Sequence, residues 1–210
     1  MDPAVSSTSV AWNSRSTLAI RTFVAIEIPE PLKAKLDRSV EALRSGVVDD
    51  LVRWVRPDSM HLTLKFLGEI EQLQVHAIEQ ILDQVAGGFA EFALEMAGFG
   101  CFPNKKRPRV IWVGFDAAAA ELLRLQAELT SHLELIGFEG DRRDYHPHMT
   151  LGRVRKELSA AHSRILSDWA KEAQIGTIGK FQVESISLIH SVLEPGGAVY
   201  TRLHSARFAP

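Results

Sequence analysis

The chain contains one four-residue pattern twice. Residues 61–64 (His-Leu-Thr-Leu) and 148–151 (His-Met-Thr-Leu) both read His-apolar-Thr-Leu, and the two histidines are 87 positions apart (148 − 61). Each copy lies in a stretch with strand-like alternation and precedes a helical pattern. Because the side chains of a strand alternate between its faces, we expect the His and the Thr of each copy on one face. The repetition predicts two similar lobes, with one His-x-Thr strand from each lining the cleft between them.

Strand and helix patterns are mixed along the chain without strict alternation, which favours an α+β fold with largely antiparallel sheets and outer helices. A strand over 60–67 is expected to end at Gly68, and residues 181–193 are expected to form one strand of a terminal hairpin. No polar linker divides the chain, so residues 20–210 are predicted to form a single bilobal domain. Residues 1–19 are rich in Ser, Thr and Ala, which predicts a disordered N-terminal extension.

Composition narrows the classes of function. The chain has 210 residues and a formal net charge of −2, so any contact with RNA must be local and confined to a cleft. A single cysteine, Cys101, excludes an intrachain disulfide and fits a reducing cytosol. No apolar run approaches the roughly 20 residues that span a membrane. We therefore expect a cytoplasmic protein without a membrane partner, and a monomer.

The paired motifs suit acid/base chemistry at phosphorus. Water can open a 2',3'-cyclic phosphodiester by in-line attack if one imidazole accepts its proton and another protonates the departing ribose oxygen. Histidine suits both tasks because its ordinary pKa of about 6.5 lies near working pH. His61 and His148 are the catalytic candidates, and the hydroxyls of Thr63 and Thr150 can donate to the non-bridging oxygens. The scheme requires no metal or other cofactor.

Residues near the motifs are candidates for substrate binding. Lys65 is expected to share the face of His61. Arg153 follows His148 at an odd offset, so it joins the site only if the strand bends or ends near Gly152. The remaining candidates are a basic residue ahead of the second motif and two aromatic residues that can stack on a base: Arg143, Tyr145 and Trp54.

Two alternatives remain open at this point. His146 and His148 can share one strand face, and with His61 they could form a three-histidine metal site of a metal-dependent phosphoesterase. That interpretation leaves both threonines unexplained. The other alternative is a non-catalytic module that binds RNA ends, which would keep a basic, aromatic cleft but would not need both histidines.

From about Arg21 to Phe208 the chain resembles the two-histidine phosphoesterase superfamily, and within it the RNA 2',3'-cyclic phosphodiesterases, also called 2'-5' RNA ligases. The resemblance is carried by residues 61–68 and 147–153, with Trp54 ahead of the first motif and Trp112 between the two. It implies a bilobal, pseudo-twofold fold without a metal, acting on RNA ends or nucleoside cyclic phosphates.

The resemblance also implies the reaction and the two roles. Cyclic ends would be hydrolysed to 2'-phosphates, with His61 as proton donor to the departing 3' oxygen and His148 as proton acceptor from water. Reversal of this chemistry would join a 2'-phosphodiester bond.

Overall fold

The part of the chain that the structure describes contains two antiparallel sheets and four helices. The structure is a computed structural model that describes residues 19–47, 51–115, 120–140, 143–195 and 197–209. The predicted extension over 1–19 therefore lies outside the described residues except for Ala19. The strands are β1 Ala19–Glu27, β2 Val52–Trp54, β3 His61–Glu71, β4 Phe92–Phe102, β5 Val110–Phe115, β6 His148–Val154, β7 Thr177–Val183, β8 Ser185–Glu194 and β9 Gly197–Arg207. The helices are α1 Glu30–Arg44, α2 Val75–Ala86, α3 Ala120–Glu134 and α4 Ala160–Glu172.

The strand order separates the two motifs. The first sheet has the order β3-β1-β8-β9 and the second has the order β2-β6-β5-β4-β7, so β3 and β6 belong to different sheets. These two motif strands carry His61 and His148, and Cα atoms of the two strands approach within 8 Å. The bilobal α+β architecture expected from the sequence is confirmed.

The helices cover the outer faces of the sheets because each has one apolar stripe. Leucines of α3 recur at three- and four-residue intervals, and all are fully buried: Leu122, Leu125, Leu129 and Leu133. Helix α3 packs with α2 on the first sheet, and its Gln126 side chain donates to the Leu64 carbonyl of β3 at 3.5 Å. Helices α1 and α4 pack on the second sheet, where α1 contacts β7 and Trp169 of α4 contacts Phe99 of β4.

Both motif strands contain a β-bulge at the same place. In β3, Thr63 pairs with Ala25 and Lys65 pairs with Val24, so Leu64 is the extra residue. In β6, Thr150 pairs with Trp112 and residue 152 pairs with residue 111, so the extra residue is Leu151. A bulge resets the alternation of side chains, because one strand gains a residue that its neighbour does not match. Residues beyond each Leu therefore lie on the face opposite to that predicted by strict alternation.

Two strand predictions are wrong. Gly68 does not end β3, because glycine can adopt its φ of +76° and the strand continues to Glu71 past a second bulge. The stretch over 181–193 is not one strand. It is divided at Glu184, so that β7 pairs with β4 in the second sheet and β8 pairs with β1 and β9 in the first. No helix of the described residues has the length and apolarity needed to cross a membrane.

Candidate active site

His61 lies at the start of β3 among aromatic side chains of the first sheet. Its ring stacks on Phe23 of β1 at 4.5 Å between centroids and meets the edge of Tyr200 of β9 at 5.0 Å. The pKa of His61 is lowered from 6.5 to about 4, mainly by burial; a backbone hydrogen bond at Ser59 opposes this shift and the positive charge of Lys33 adds to it. The imidazole is therefore neutral at neutral pH in the unliganded protein.

His148 occupies the matching position at the start of β6. Its ring meets Phe102 edge-on at 4.8 Å and Trp112 at 6.3 Å, so aromatic residues of β4 and β5 form its wall. Burial lowers the pKa of His148, a hydrogen bond to the His146 backbone raises it, and the nearby charges of His146 and Arg153 lower it. Both motif histidines therefore favour the neutral form.

Each motif histidine has a hydrogen bond to the backbone of the residue two positions before it. Nδ1 of His148 lies 2.7 Å from the carbonyl oxygen of His146, so in the neutral ring Nδ1 carries the proton and donates to this carbonyl. The hydrogen bond at Ser59 raises the pKa of His61, which is the effect of a ring that donates to a carbonyl. In each case the carbonyl belongs to the residue two positions before the histidine. Such a bond fixes the tautomer and, in His148, leaves Nε2 as the proton acceptor.

Three interactions link the surroundings of the two histidines. The edge of Tyr200 contacts His61, and the positive charge of Arg153 acts on both Tyr200 and His148, although burial is the larger influence and raises the pKa of Tyr200 while it lowers that of His148. The hydroxyl of Tyr145, three residues before His148, donates to the carbonyl oxygen of Thr63 at 3.1 Å. The segment that leads into β6 is thus bound directly to β3, in keeping with the approach of the two motif strands to within 8 Å between Cα atoms.

Thr63 and Thr150 lie on the cleft faces of their strands. Thr63 pairs with Ala25, which clusters with Phe23 on the His61 side of the first sheet. Thr150 pairs with Trp112, whose ring contacts His148. Both threonines are half-buried, and each lies two residues after its histidine on the same strand.

The expectation that Lys65 shares the face of His61 is wrong. The bulge at Leu64 turns Lys65 away from the cleft. The Lys65 side chain is only 3% exposed, and its amine donates to the carbonyl oxygen of Glu139 at 2.7 Å. Phe66 takes the cleft face instead, 6.0 Å from the ring of Phe23, and is 61% exposed. The cleft therefore presents an aromatic ring where a cation was expected.

The same kind of bulge brings Arg153 into the site. Arg153 is five residues after His148, so in a regular strand the two side chains would point to opposite faces. Because Leu151 is an extra residue in the strand, Arg153 lies on the same face as His148, as the sequence allowed if the strand bends near Gly152. Its charge acts on His148 and on Tyr200 of the opposite sheet. Arg153 and Phe66 occupy equivalent positions, each three residues after the threonine of its motif.

The other binding candidates lie at different places. Trp54 packs against Trp169 of α4 at 6.4 Å and beneath the guanidinium of Arg44, on the outer side of the second sheet, so it does not line the cleft. Tyr145 is half-buried, burial raises the pKa of its hydroxyl, and that hydroxyl donates to the Thr63 carbonyl of β3. Arg143 is exposed in the loop before β6.

The three-histidine metal site is not formed by the side chains in the described ranges. His146 is exposed and meets the ring of Trp112 edge-on at 5.2 Å, while its carbonyl accepts from His148. No three His, Cys, Asp or Glu side chains within those ranges come close enough to hold a metal ion, so His61, His146 and His148 do not form a ligand set.

Comparison with known proteins agrees with this geometry. The family described as LigT like phosphoesterase matches the chain twice, over residues 26–112 and 113–200. The chain belongs to this family. The two matches of the LigT-like phosphoesterase begin 87 positions apart (113 − 26), the same offset as the two histidines, so the internal repeat covers whole halves of the protein.

Three curated relatives of this LigT-like phosphoesterase carry the same name. A protein of Methanothermobacter thermautotrophicus named RNA 2',3'-cyclic phosphodiesterase is 31% identical over 190 residues, which cover 90% of this chain and 100% of the relative. Proteins with the same name from Archaeoglobus fulgidus and Thermotoga maritima are 32% and 31% identical and are covered over 98% and 96% of their lengths. The resemblance stated from the motifs is therefore confirmed.

Solved structures show the same fold. A crystal structure of a Thermus thermophilus protein matches with a TM-score of 0.75 at 28% identity, covering 90% of this chain and 98% of that one. The structure of E. coli LigT complexed with 3'-AMP matches with a TM-score of 0.72 at 23% identity, covering 91% and 99%.

The aromatic lining of this LigT-like phosphoesterase was not predicted from the sequence. Phe23 and Tyr200 enclose His61, and Phe102 lies against His148. One signal was available, since strand alternation puts Phe23 on the face opposite to that of Val24 and Ile26. Tyr200 gave no comparable signal, because only the pairing of β9 with β8 brings it to the motif strand.

Proposed function

We propose that this protein hydrolyses the 2',3'-cyclic phosphate ends of RNA to 2'-phosphates. The observation that carries the proposal is the matched pair of His-x-Thr motifs at the starts of β3 and β6, two strands whose Cα atoms approach within 8 Å. The name of the relatives supports the substrate, because RNA 2',3'-cyclic phosphodiesterases match this chain over nearly their whole length.

His148 is proposed as the base and His61 as the acid. With Nδ1 donating to a carbonyl, Nε2 of His148 can accept the proton of the attacking water. On the other side of phosphorus, His61 donates a proton to the departing 3' oxygen. Since burial keeps His61 neutral in the unliganded protein, it must be protonated when substrate binds. The phosphodiester supplies the reason, because a negative charge beside an imidazole raises its pKa.

Residues on the cleft face are proposed to stabilise the negative charge of the non-bridging phosphoryl oxygens. Hydroxyls of Thr63 and Thr150 are proposed to donate to the two non-bridging oxygens as negative charge grows there. Each such donor is worth about 3 kcal/mol in the transition state by analogy with oxyanion holes. Arg153 adds a positive charge near the same phosphate. If a 5'-hydroxyl attacks phosphorus in place of water, the P–O5' bond forms, the P–O3' bond breaks with the 3' oxygen protonated, and the product is a 2'-5' bond.

The test is incubation with an RNA oligonucleotide that ends in a 2',3'-cyclic phosphate, with EDTA present and the product assigned as 2'- or 3'-phosphate. We expect a 2'-phosphate product, formed at the same rate with EDTA as without it. His61→Asn and His148→Asn should each lower kcat by roughly 10²–10⁴, the usual worth of a general acid or base. His162→Asn, on the exposed side of α4, is the matched control and should not change kcat.

Each alternative has its own signature in this assay. Loss of turnover in EDTA would support a metal-dependent enzyme. Tight binding of the RNA end without turnover would support a binding module. A single histidine variant that keeps a near-normal rate would refute the paired mechanism. The expected cytoplasmic location and the monomeric state stay predictions.

A further inference from the structure

Two arginines lie directly opposite each other at the edge of the second sheet. Arg53 of the edge strand β2 pairs with Arg153 of the motif strand β6. Residues opposite each other in an antiparallel pair point to the same face, with Cα atoms about 5.5 Å apart when they are hydrogen-bonded. The neighbours Val52 and Trp54 face the protein core and α4, so Arg53 lies on the cleft side.

The described part of the chain supplies no counter-ion to this pair. Among its residues, neither guanidinium has a carboxylate within ion-pair distance. Like charges directly opposite in a sheet destabilise the pairing of the strands. The chain as a whole carries a net charge of −2, so this concentration of positive charge is a local feature. An anionic ligand would remove the repulsion.

The two arginines differ in their distance from the histidines. The charge of Arg153 reaches His148 and Tyr200, so its guanidinium lies near the place of the reacting phosphate. Arg53 stands one strand further out, at the rim of the cleft, and both side chains are exposed. An RNA chain whose last phosphate is at the histidines has its next phosphate one nucleotide away, and the chain must leave the cleft across its rim.

We propose that Arg53 binds the first internal phosphate of the RNA, next to the cyclic end, so that the preferred substrate is an oligonucleotide and not a free nucleoside 2',3'-cyclic phosphate. This inference rests on the proposed function. An oligonucleotide has this internal phosphate and a free nucleoside 2',3'-cyclic phosphate does not, and Arg53 is the side chain that contacts it.

The experiment compares kcat/KM for two substrates, a nucleoside 2',3'-cyclic phosphate and a five-nucleotide RNA with the same cyclic end. For the RNA, Arg53→Ala should lower kcat/KM about tenfold, the effect of losing one charge-assisted contact of about 1.4 kcal/mol. It should also reduce the slope of log kcat/KM against log salt by about 0.7, the share of one phosphate on a single strand. For the mononucleotide, kcat/KM should not change.

Two further variants control the result. Arg164→Ala removes the same charge from the exposed face of α4 and should leave both substrates unaffected. Arg53→Lys keeps the charge and should restore most of the salt slope. An equal loss on both substrates, or no loss on either, would overturn the proposal.

Failure of the proposed function is a separate outcome. If the wild-type protein hydrolyses neither substrate, fluorescence anisotropy with a 2'-phosphate-ended RNA replaces the rate assay. Arg53→Ala should then weaken binding about tenfold relative to Arg164→Ala, with the same change in salt slope. Equal binding by the two variants would overturn the phosphate contact by itself.

Discussion

Neutralisation of His61 by burial should make the protein sensitive to acid. The folded protein holds this imidazole at a pKa of about 4, whereas the unfolded chain has the ordinary value of 6.5. Between these two values the unfolded chain binds more protons, so the free energy of unfolding falls as the pH falls. The contribution is complete above pH 6.5 and is lost as the pH approaches 4. From about pH 7.5 to about pH 4.5 the loss amounts to about 2.5 kcal/mol.

The assay is urea unfolding at both pH values, followed by tryptophan fluorescence, for the wild-type protein and His61→Gln. Glutamine can still donate to the Ser59 carbonyl but does not titrate. The variant should lose about 2.5 kcal/mol less than the wild type over this interval, because all other titrating groups are common to both proteins. His162→Gln, at an exposed position of α4, should lose as much as the wild type. A difference below about 0.5 kcal/mol between wild type and His61→Gln would refute the burial argument.

Three further outcomes follow from the site. Burial lowers the pKa of both motif histidines below 6.5, so the form in which one of the two is protonated becomes rare as the pH rises. Above about pH 6.5, kcat/KM should therefore fall about tenfold per pH unit. A rise in kcat/KM toward pH 8 would contradict this. Gly100→Ala places a methyl group 2.0 Å from the Trp112 ring and should destabilise the protein by about 1–3 kcal/mol in urea unfolding, whereas Gly176→Ala, with nothing within 4 Å, should not. Tyr145→Phe leaves the Thr63 carbonyl without its donor and should lower the free energy of unfolding by about 1–3 kcal/mol, and an unchanged value would show that the bond does not hold the motif strands together.

The elements and the central pair of the site could be predicted from the sequence. Apolar stripes mark all four helices, and Ser159 caps α4 as expected, accepting from the His162 amide at 3.1 Å. The repeat of His-x-Thr identified both motif strands because its signal is a coincidence of two distant segments. The sequence did not show that the two motif strands lie next to each other in space. The hypothesis of two similar halves related by pseudo-twofold symmetry was enough to predict it.

The side-chain directions beyond the motifs could not be predicted. Bulges at Leu64 and Leu151 depend on how each strand pairs with its neighbour, and no residue type at these positions signals them. They reverse the faces of Lys65 and Arg153, which is why one binding candidate leaves the cleft and the other enters it. The division at Glu184 was hidden for a similar reason, since β7 and β8 are both apolar enough to read as one strand.

The exchange of elements between the sheets has a consequence for assembly of the chain. Each half of the chain supplies strands to both sheets. The first half gives β1 and β3 to the first sheet and β2 and β4 to the second, and the second half gives β8 and β9 to the first sheet and β6 and β7 to the second. Neither half contains a complete lobe, so a protein cut between the repeats would yield two fragments that must associate before either can close its interior. The two histidines are thereby tied to a single cooperative unit, and neither motif can acquire its surroundings while the other half is unfolded.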